Sequence, residues 1–214
     1  LVRYEYRLIF AVSLPCMPDI TTILETAAFV LSLAGVLLAI KPYTANWPVA
    51  MAGTLLYAWV FNTCQLYSDM VLQFFFIVVQ AYGWRRWTIK NRAEFPISSL
   101  TPRRWLGEAA LFVLGWSVWT TLILNFPSWI ATIYDVNIPQ AQMPWLDSFT
   151  ASLSVWAISL QARRKWENWI LWLLADSIYI PLYISVGKPL TALLYGIFLL
   201  LALSGLRSWY QQRV

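Results

Sequence analysis

The chain runs to 214 residues, 60% apolar and 12% charged, with 15 Lys and Arg against 10 Asp and Glu and no histidine. Soluble domains carry about 25% charged residues, so neither a water-solvated surface nor intrinsic disorder fits this composition. Zinc hydrolases and Ser-His-Asp triads need histidine and are excluded, and Cys16 and Cys64 alone make no disulfide scaffold. The composition is that of an all-α integral membrane protein.

Residues 1–18 hold Arg3, Glu5 and Arg7 ahead of Pro15 and Pro18, lack a small-residue cleavage site, and do not read as a signal peptide. Seven apolar runs follow, near 21–40, 47–66, 69–86, 108–126, 147–161, 169–185 and 189–206. Each approaches the ~20 residues a helix needs to cross about 30 Å of hydrocarbon. Glu25, early in the first span, is read as snorkelling to the membrane boundary. The third span carries Gln73, Phe76 and Gln80 on one face. Amides within hydrocarbon must find partners, either neighbouring helices or a ligand. Pro96 and Pro102 on one side, and Pro127, Pro139 and Pro144 on the other, mark the fourth span as a connector between two halves.

In the fifth span Ser148, Thr150, Ser152, Ser154 and Ser159 break the apolar run, so this helix is expected to face the protein interior. Thr150 and Ser154 stand at i, i+4, and each has the alternative of bonding back to its own helix. The sixth span is the most informative. Trp169, Trp172, Asp176, Tyr179 and Tyr183 follow at steps of 3, 4, 3 and 4, which stacks them along one face. A midspan carboxylate costs roughly 2.5–3.5 kcal/mol on insertion scales. No residue of that span supplies a counter-charge. A ligand cation would offset the cost, with tryptophan faces adding about 2 kcal/mol when desolvated. The plain alternatives are an aromatic belt for the tryptophans and a hydrogen bond to a neighbouring helix for Asp176. No GxxxxGK[ST] phosphate loop occurs, since Gly187-Lys188 runs into Pro189, and no cofactor or metal is expected.

Basic residues segregate. Arg85, Arg86, Lys90, Arg92, Arg103 and Arg104 share one side with Arg163, Arg164, Lys165, Lys41, Arg207 and Arg213, whereas Arg3, Arg7 and Lys188 fall on the other. The positive-inside rule then puts the N-terminus outside and the C-terminus in the cytoplasm, and the charge serves topology rather than nucleic acid. Cys16 and Cys64 both fall near the outer side, and no bridge between them is expected.

Shifting the chain by 122 residues aligns 46–87 with 168–209 without a gap. Asn46-Trp47 meets Asn168-Trp169, Tyr57 meets Tyr179, Phe76 meets Phe198, Gly83 meets Gly205, Arg85 meets Arg207 and Trp87 meets Trp209. The second and sixth spans run in the same direction, so the repeat is parallel: three helices (about 20–87), a linker helix (about 108–126) and three more (about 146–209). Parallel repeats belong to one class of secondary transporter with a midplane site, although channels also contain repeats. Asp176 corresponds to Thr54 and Trp172 to Ala50, which weights a site toward the second half.

These features resemble the PnuC family of bacterial nicotinamide riboside transporters. The resemblance rests on the Asn-Trp-Pro opening of the second span, the third span ending Gly83-Trp84-Arg85-Arg86-Trp87, and Glu167-Asn168-Trp169-x-x-Trp172-x-x-x-Asp176. It covers about residues 20–210. It implies a 3+1+3 fold similar to the SWEET sugar transporters, a homotrimer in the lipid of the bacterial inner membrane, and facilitated diffusion of nicotinamide riboside. That solute is a form of vitamin B3 and an NAD precursor. The resemblance also implies that Trp169 and Trp172 flank the substrate and that Asp176 and Tyr179 continue that face. Gln73 and Gln80 would contact nicotinamide or ribose from the third helix, and Thr150 and Ser154 from the fifth. Related members carry thiamine or riboflavin, so another aromatic vitamin is the alternative. An intramembrane enzyme is disfavoured by the lack of histidine and of paired carboxylates on adjacent turns, and a non-transporting assembly subunit would bind no solute.

Overall fold

The computed structural model describes residues 18–63, 67–89, 95–134, 144–185 and 189–214. Cys16, Cys64 and the side chain of Tyr183 lie outside the described residues. Seven helices occur among those described: α1 (Pro18–Ile40), α2 (Asn46–Thr63), α3 (Tyr67–Ile89), α4 (Pro102–Tyr134), α5 (Pro144–Ala162), α6 (Asn168–Ser185) and α7 (Pro189–Gln212). Four of them open on proline, whose missing N–H would be unsatisfied in a first turn anyway. The other punctuation is asparagine: Asn46 Nδ2 donates to Tyr43 O (2.5 Å), and Asn168 Nδ2 to Lys165 O (2.7 Å). Each bond closes the tight turn that feeds α2 or α6.

α1 packs on α2, α2 on α3, α3 on α5, α5 on α6, α6 on α7, and α7 returns to α1. The six helices thus form a closed ring, with α4 outside it against α5. Windows of α1 (Ile23–Ile40) and α4 (Pro102–Asn125) are long and apolar enough to cross a membrane, and only 17% and 11% of them are buried. α4 is longer than its apolar run at 108–126. Thr101 O accepts from the Arg104 and Trp105 amides at its start, and the helix continues through Pro127 to Tyr134. Hydropathy marks only the stretch suited to hydrocarbon, whereas backbone bonding carries the helix further.

α5 is enclosed between α3, α4 and α6, and polar residues at both of its ends are used in packing. Ser148 Oγ lies 2.6 Å from Thr120 Oγ1 and accepts from Trp116 Nε1 (3.2 Å), tying α5 to α4 at one end. At the other end Glu108 of α4 pairs with Arg163 and accepts from Trp156 Nε1 (3.0 Å).

One end of the ring is closed by tryptophan. Trp47 meets Trp87 edge-on (5.3 Å between centroids), Trp87 meets Trp209 (6.0 Å), and Trp209 meets Trp169 edge-on (5.8 Å). Trp87 Nε1 donates to Ala162 O (3.1 Å) and Trp209 Nε1 to Ala39 O (2.9 Å). Glycine makes room for the rings: a Cβ on Gly83 would stand 2.6 Å from Trp47, and one on Gly205 2.5 Å from Trp169. Below this floor a strap at 95–100 lies along the 163–167 turn. Ser98 N donates to Arg164 O (3.1 Å), Leu100 N to Glu167 Oε1 (2.6 Å) and Val214 N to Ile97 O (3.0 Å). Ile97 is buried among the floor tryptophans.

Candidate functional site: a polar-aromatic cavity in the helix ring

The ring encloses a cavity of about 430 Å³ whose lining comes from all six of its helices. α1 presents Glu25, Phe29, Ser32, Val36 and Ala39 at helical steps of 4, 3, 4 and 3, and α5 presents Ala151, Ser154, Ile158 and Gln161. α2 supplies Trp47, Ala50 and Tyr57, and α6 supplies Trp169, Trp172, Asp176 and Tyr179. Gln73, Phe76 and Gln80 enter from α3, and Tyr195, Phe198 and Ala202 from α7. Many lining positions fall in pairs 122 residues apart. Four pairs are identical: Ser32 with Ser154, Trp47 with Trp169, Tyr57 with Tyr179, and Phe76 with Phe198. Six differ: Phe29 with Ala151, Val36 with Ile158, Ala39 with Gln161, Ala50 with Trp172, Gln73 with Tyr195, and Gln80 with Ala202.

The wall is aromatic at several heights. Tyr179 and Tyr195 lie 4.6 Å apart between centroids, Tyr57 stacks on Phe61 (5.8 Å), and Phe29 meets Phe198 edge-on (6.3 Å). Its charge is one-sided: Glu25 and Asp176 are carboxylates, and among the described lining residues there is no Lys or Arg. Asp176 is 6% exposed, and its carboxylate makes no hydrogen bond or ion pair with another described residue. Some polar groups are committed to the protein. Gln80 Nε2 donates to Thr54 Oγ1 (2.9 Å), which itself donates to Ala50 O (2.9 Å). Gln161 Nε2 donates to Asn46 Oδ1 (3.2 Å). Gln80 Oε1 and the indole nitrogens of Trp47 and Trp169 are buried without a hydrogen-bond partner among the described residues. Buried polar atoms are ordinarily satisfied, so these three stand out.

Of the eight residues singled out from the sequence, Gln73, Gln80, Ser154, Trp169, Trp172, Asp176 and Tyr179 line this cavity. Thr150 is not among the lining residues: it is buried, and its hydroxyl donates to Leu146 O (3.0 Å) and Asp147 O (3.1 Å) of its own helix. Glu25, read from the sequence as snorkelling, lines the cavity at the end away from the tryptophan floor, beside Tyr57. Sequence reasoning missed Ser32, Tyr57, Gln161 and Tyr195. The 122-residue register carried the signal for three of them, through Ser154, Tyr179 and Gln73.

The family model described as nicotinamide mononucleotide transporter matches residues 22–211. The chain belongs to this family. Within it, the nicotinamide riboside transporter PnuC of Escherichia coli (strain K12) is 29% identical over 180 residues, spanning 77% of this chain and 75% of that protein. The PnuC of Neisseria mucosa is 27% identical over 201 residues, spanning 85% of this chain and 71% of that one. The riboflavin/roseoflavin transporter RibM of Streptomyces davaonensis is 25% identical over 167 residues, 77% of this chain and 74% of its own. The crystal structure of the vitamin B3 transporter PnuC superposes with a TM-score of 0.66 at 26% identity, covering 91% of this chain and 83% of that one. The seven-helix architecture of this nicotinamide mononucleotide transporter family member is therefore that of a membrane transporter.

Proposed function

We propose that the protein takes up nicotinamide riboside by facilitated diffusion through the six-helix ring. The carrying observation is the cavity itself: aromatic walls and an uncompensated buried carboxylate, with no basic group among its described lining residues. A pyridinium supplies the missing counter-charge for Asp176 and stacks on the Trp169 and Trp172 faces. Gln73, Gln80, Ser154 and Tyr179 offer partners to the carboxamide and the ribose hydroxyls. Thr150 contributes packing.

The same charge pattern favours the riboside over its mononucleotide. A phosphate needs cationic or backbone donors, and a like charge at 4 Å costs about 4 kcal/mol even at an effective dielectric of 20. Calorimetric titration of the purified protein with both solutes tests this: the riboside should bind, and the mononucleotide should not compete. Thiamine and riboflavin belong in the same competition, because RibM is a relative and thiamine is also a cationic aromatic.

Two three-helix units, about 20–87 and about 146–209, joined by the linker helix in a parallel 3+1+3, SWEET-like arrangement would alternate access around the cavity. The paired lining positions and the matching Trp–Gly contacts support that reading. A place in the bacterial inner membrane is supported by the outer face of α4, where Leu106, Leu111 and Leu114 are exposed and suited to lipid, and the homotrimer is part of the same proposal. With the N-terminus outside, the tryptophan floor and the strap face the cytoplasm and Glu25 faces outward.

A further inference from the structure

We infer that the groove between α3, α4 and α5, outside the helix ring, seats an anionic phospholipid, its acyl chain lying along α4 and its phosphate meeting the basic residues at one end.

α4 packs against α5 rather than against α3, which leaves a slot of about 320 Å³ lined by all three helices. Leu72 and Phe75 line it from α3, Leu111, Gly115 and Leu122 from α4, and Val155 from α5. Phe75 and Leu111 are exposed, so the slot opens to the outside of the bundle. Phe75 meets Trp119 of α4 edge-on at 5.4 Å, bridging the two helices. From Glu108 to Leu122 the lining of α4 extends about 21 Å along the helix axis, against about 15 Å for the hydrocarbon of one leaflet. Protein interiors are close-packed, and an unfilled slot forfeits dispersion contacts along its walls. An acyl chain restores them.

The Glu108 end of the slot is polar, and its excess charge is positive. Glu108 accepts from Arg163 and from Trp156 Nε1, so its carboxylate is used within the protein. Arg104, exposed one turn before Glu108, lies close enough to act on the charge of both Glu108 and Lys165. Arg86 and Arg163 also act on Lys165, with Glu167 opposing them. Four cations thus meet two carboxylates, and the excess suits a phosphate. A second copy of the chain fits the slot less well. Rotation about the membrane normal would bring a like basic cluster to the same depth, where like charges repel.

Native mass spectrometry of the purified protein, titrated with phosphatidylglycerol and phosphatidylethanolamine of identical chains, tests this. The wild type should retain one phosphatidylglycerol per chain in preference to phosphatidylethanolamine. Arg104→Gln, at an exposed position, should cut that preference by about fivefold, the worth of one cation beside an anionic headgroup. Gly115→Leu should lose both lipids, because its side chain enters the slot where a Cβ meets nothing within 4 Å. Equal retention of the two lipids by the wild type, or undiminished retention by Gly115→Leu, overturns the lipid site. An oligomer that retains no lipid and dissociates in Gly115→Leu also overturns it, by giving the slot to a second copy.

Discussion

Asp176 and Trp172 occupy one face of α6, a turn apart, and divide the proposed recognition between charge and stacking. Truncating Trp172 removes contact area and the cation–π face together, whereas Asp176→Asn keeps a hydrogen-bonding group of the same size. Trp172→Ala should therefore weaken riboside binding at least as much as Asp176→Asn in calorimetric titration, and wild-type affinity in both would place recognition elsewhere. The glycines under the floor make a second residue-scale prediction. A methyl at Gly83 or Gly205 meets an indole ring at 2.6 or 2.5 Å, and neither ring has the freedom of a flexible chain end. Gly83→Ala and Gly205→Ala should each destabilise by about 1–3 kcal/mol, the usual range for overpacking, visible as a lower unfolding temperature in detergent. Gly107 and Gly115, whose Cβ would meet nothing within 4 Å, are the controls: alanine there should leave stability unchanged or slightly raised.

Among the elements, the strap at 95–100 depends most on long-range bonds. Arg164, held in the left-handed region (φ 53°), sends Nη1 to Phe95 O (2.7 Å) with its guanidinium 4.4 Å above the Trp87 ring. Lys165 Nζ donates to Ser98 Oγ (2.7 Å) and Ser99 O (3.0 Å). Burial holds this ammonium below the ordinary lysine value, against the opposing pull of Glu167. Glu167 also accepts the buried Leu100 amide. Removing that carboxylate strands the amide at a cost of about 1–3 kcal/mol, most of which a glutamine recovers. Glu167→Ala should thus speed hydrogen exchange at the Leu100 amide far more than Glu167→Gln does. Equal exchange in all three proteins would mean the strap is held by other contacts.

At the scale of the whole molecule, the question is whether a gradient drives uptake. A proton-coupled carrier needs a titrating group in its pathway, and this chain has no histidine. Asp176, engaged as a counter-ion, is poorly placed to carry a proton as well, and its counterpart in the register is Thr54. In proteoliposomes at clamped membrane potential, labelled riboside should reach equal concentrations on both sides, whatever proton or sodium gradient is imposed. Accumulation several-fold above the external level would point to Asp176 or Glu25 as a coupling site. Topology has its own check. The Val214 amide bonds to Ile97, so the strap and the C-terminus lie at one end of the molecule. Alkaline phosphatase fused at Ile97 or after Val214 should be inactive, and activity at either would reverse the orientation drawn from the basic residues.

The helices were legible from local information. Apolar runs set their number, prolines and asparagines mark the starts of all but α3, and a step pattern of 3 and 4 placed Trp169, Trp172, Asp176 and Tyr179 on one face of α6. The 122-residue register was also legible, since it needs only residue identity. What stands opposite each face was decided in three dimensions. Thr150 and Ser154 are four residues apart on α5, yet only Ser154 lines the cavity: the lining face of α5 runs through Ala151, Ser154, Ile158 and Gln161, and the Thr150 hydroxyl is bonded back to Leu146 O and Asp147 O. Glu25 sits at a position where snorkelling to the boundary and lining a cavity look alike in sequence, and the packing of α2 and α7 around α1 chose the cavity. The strap had no periodicity to announce it. Its partners lie more than sixty residues away, and periodicity reports only which side chains share a face, whereas tertiary packing determines what that face meets.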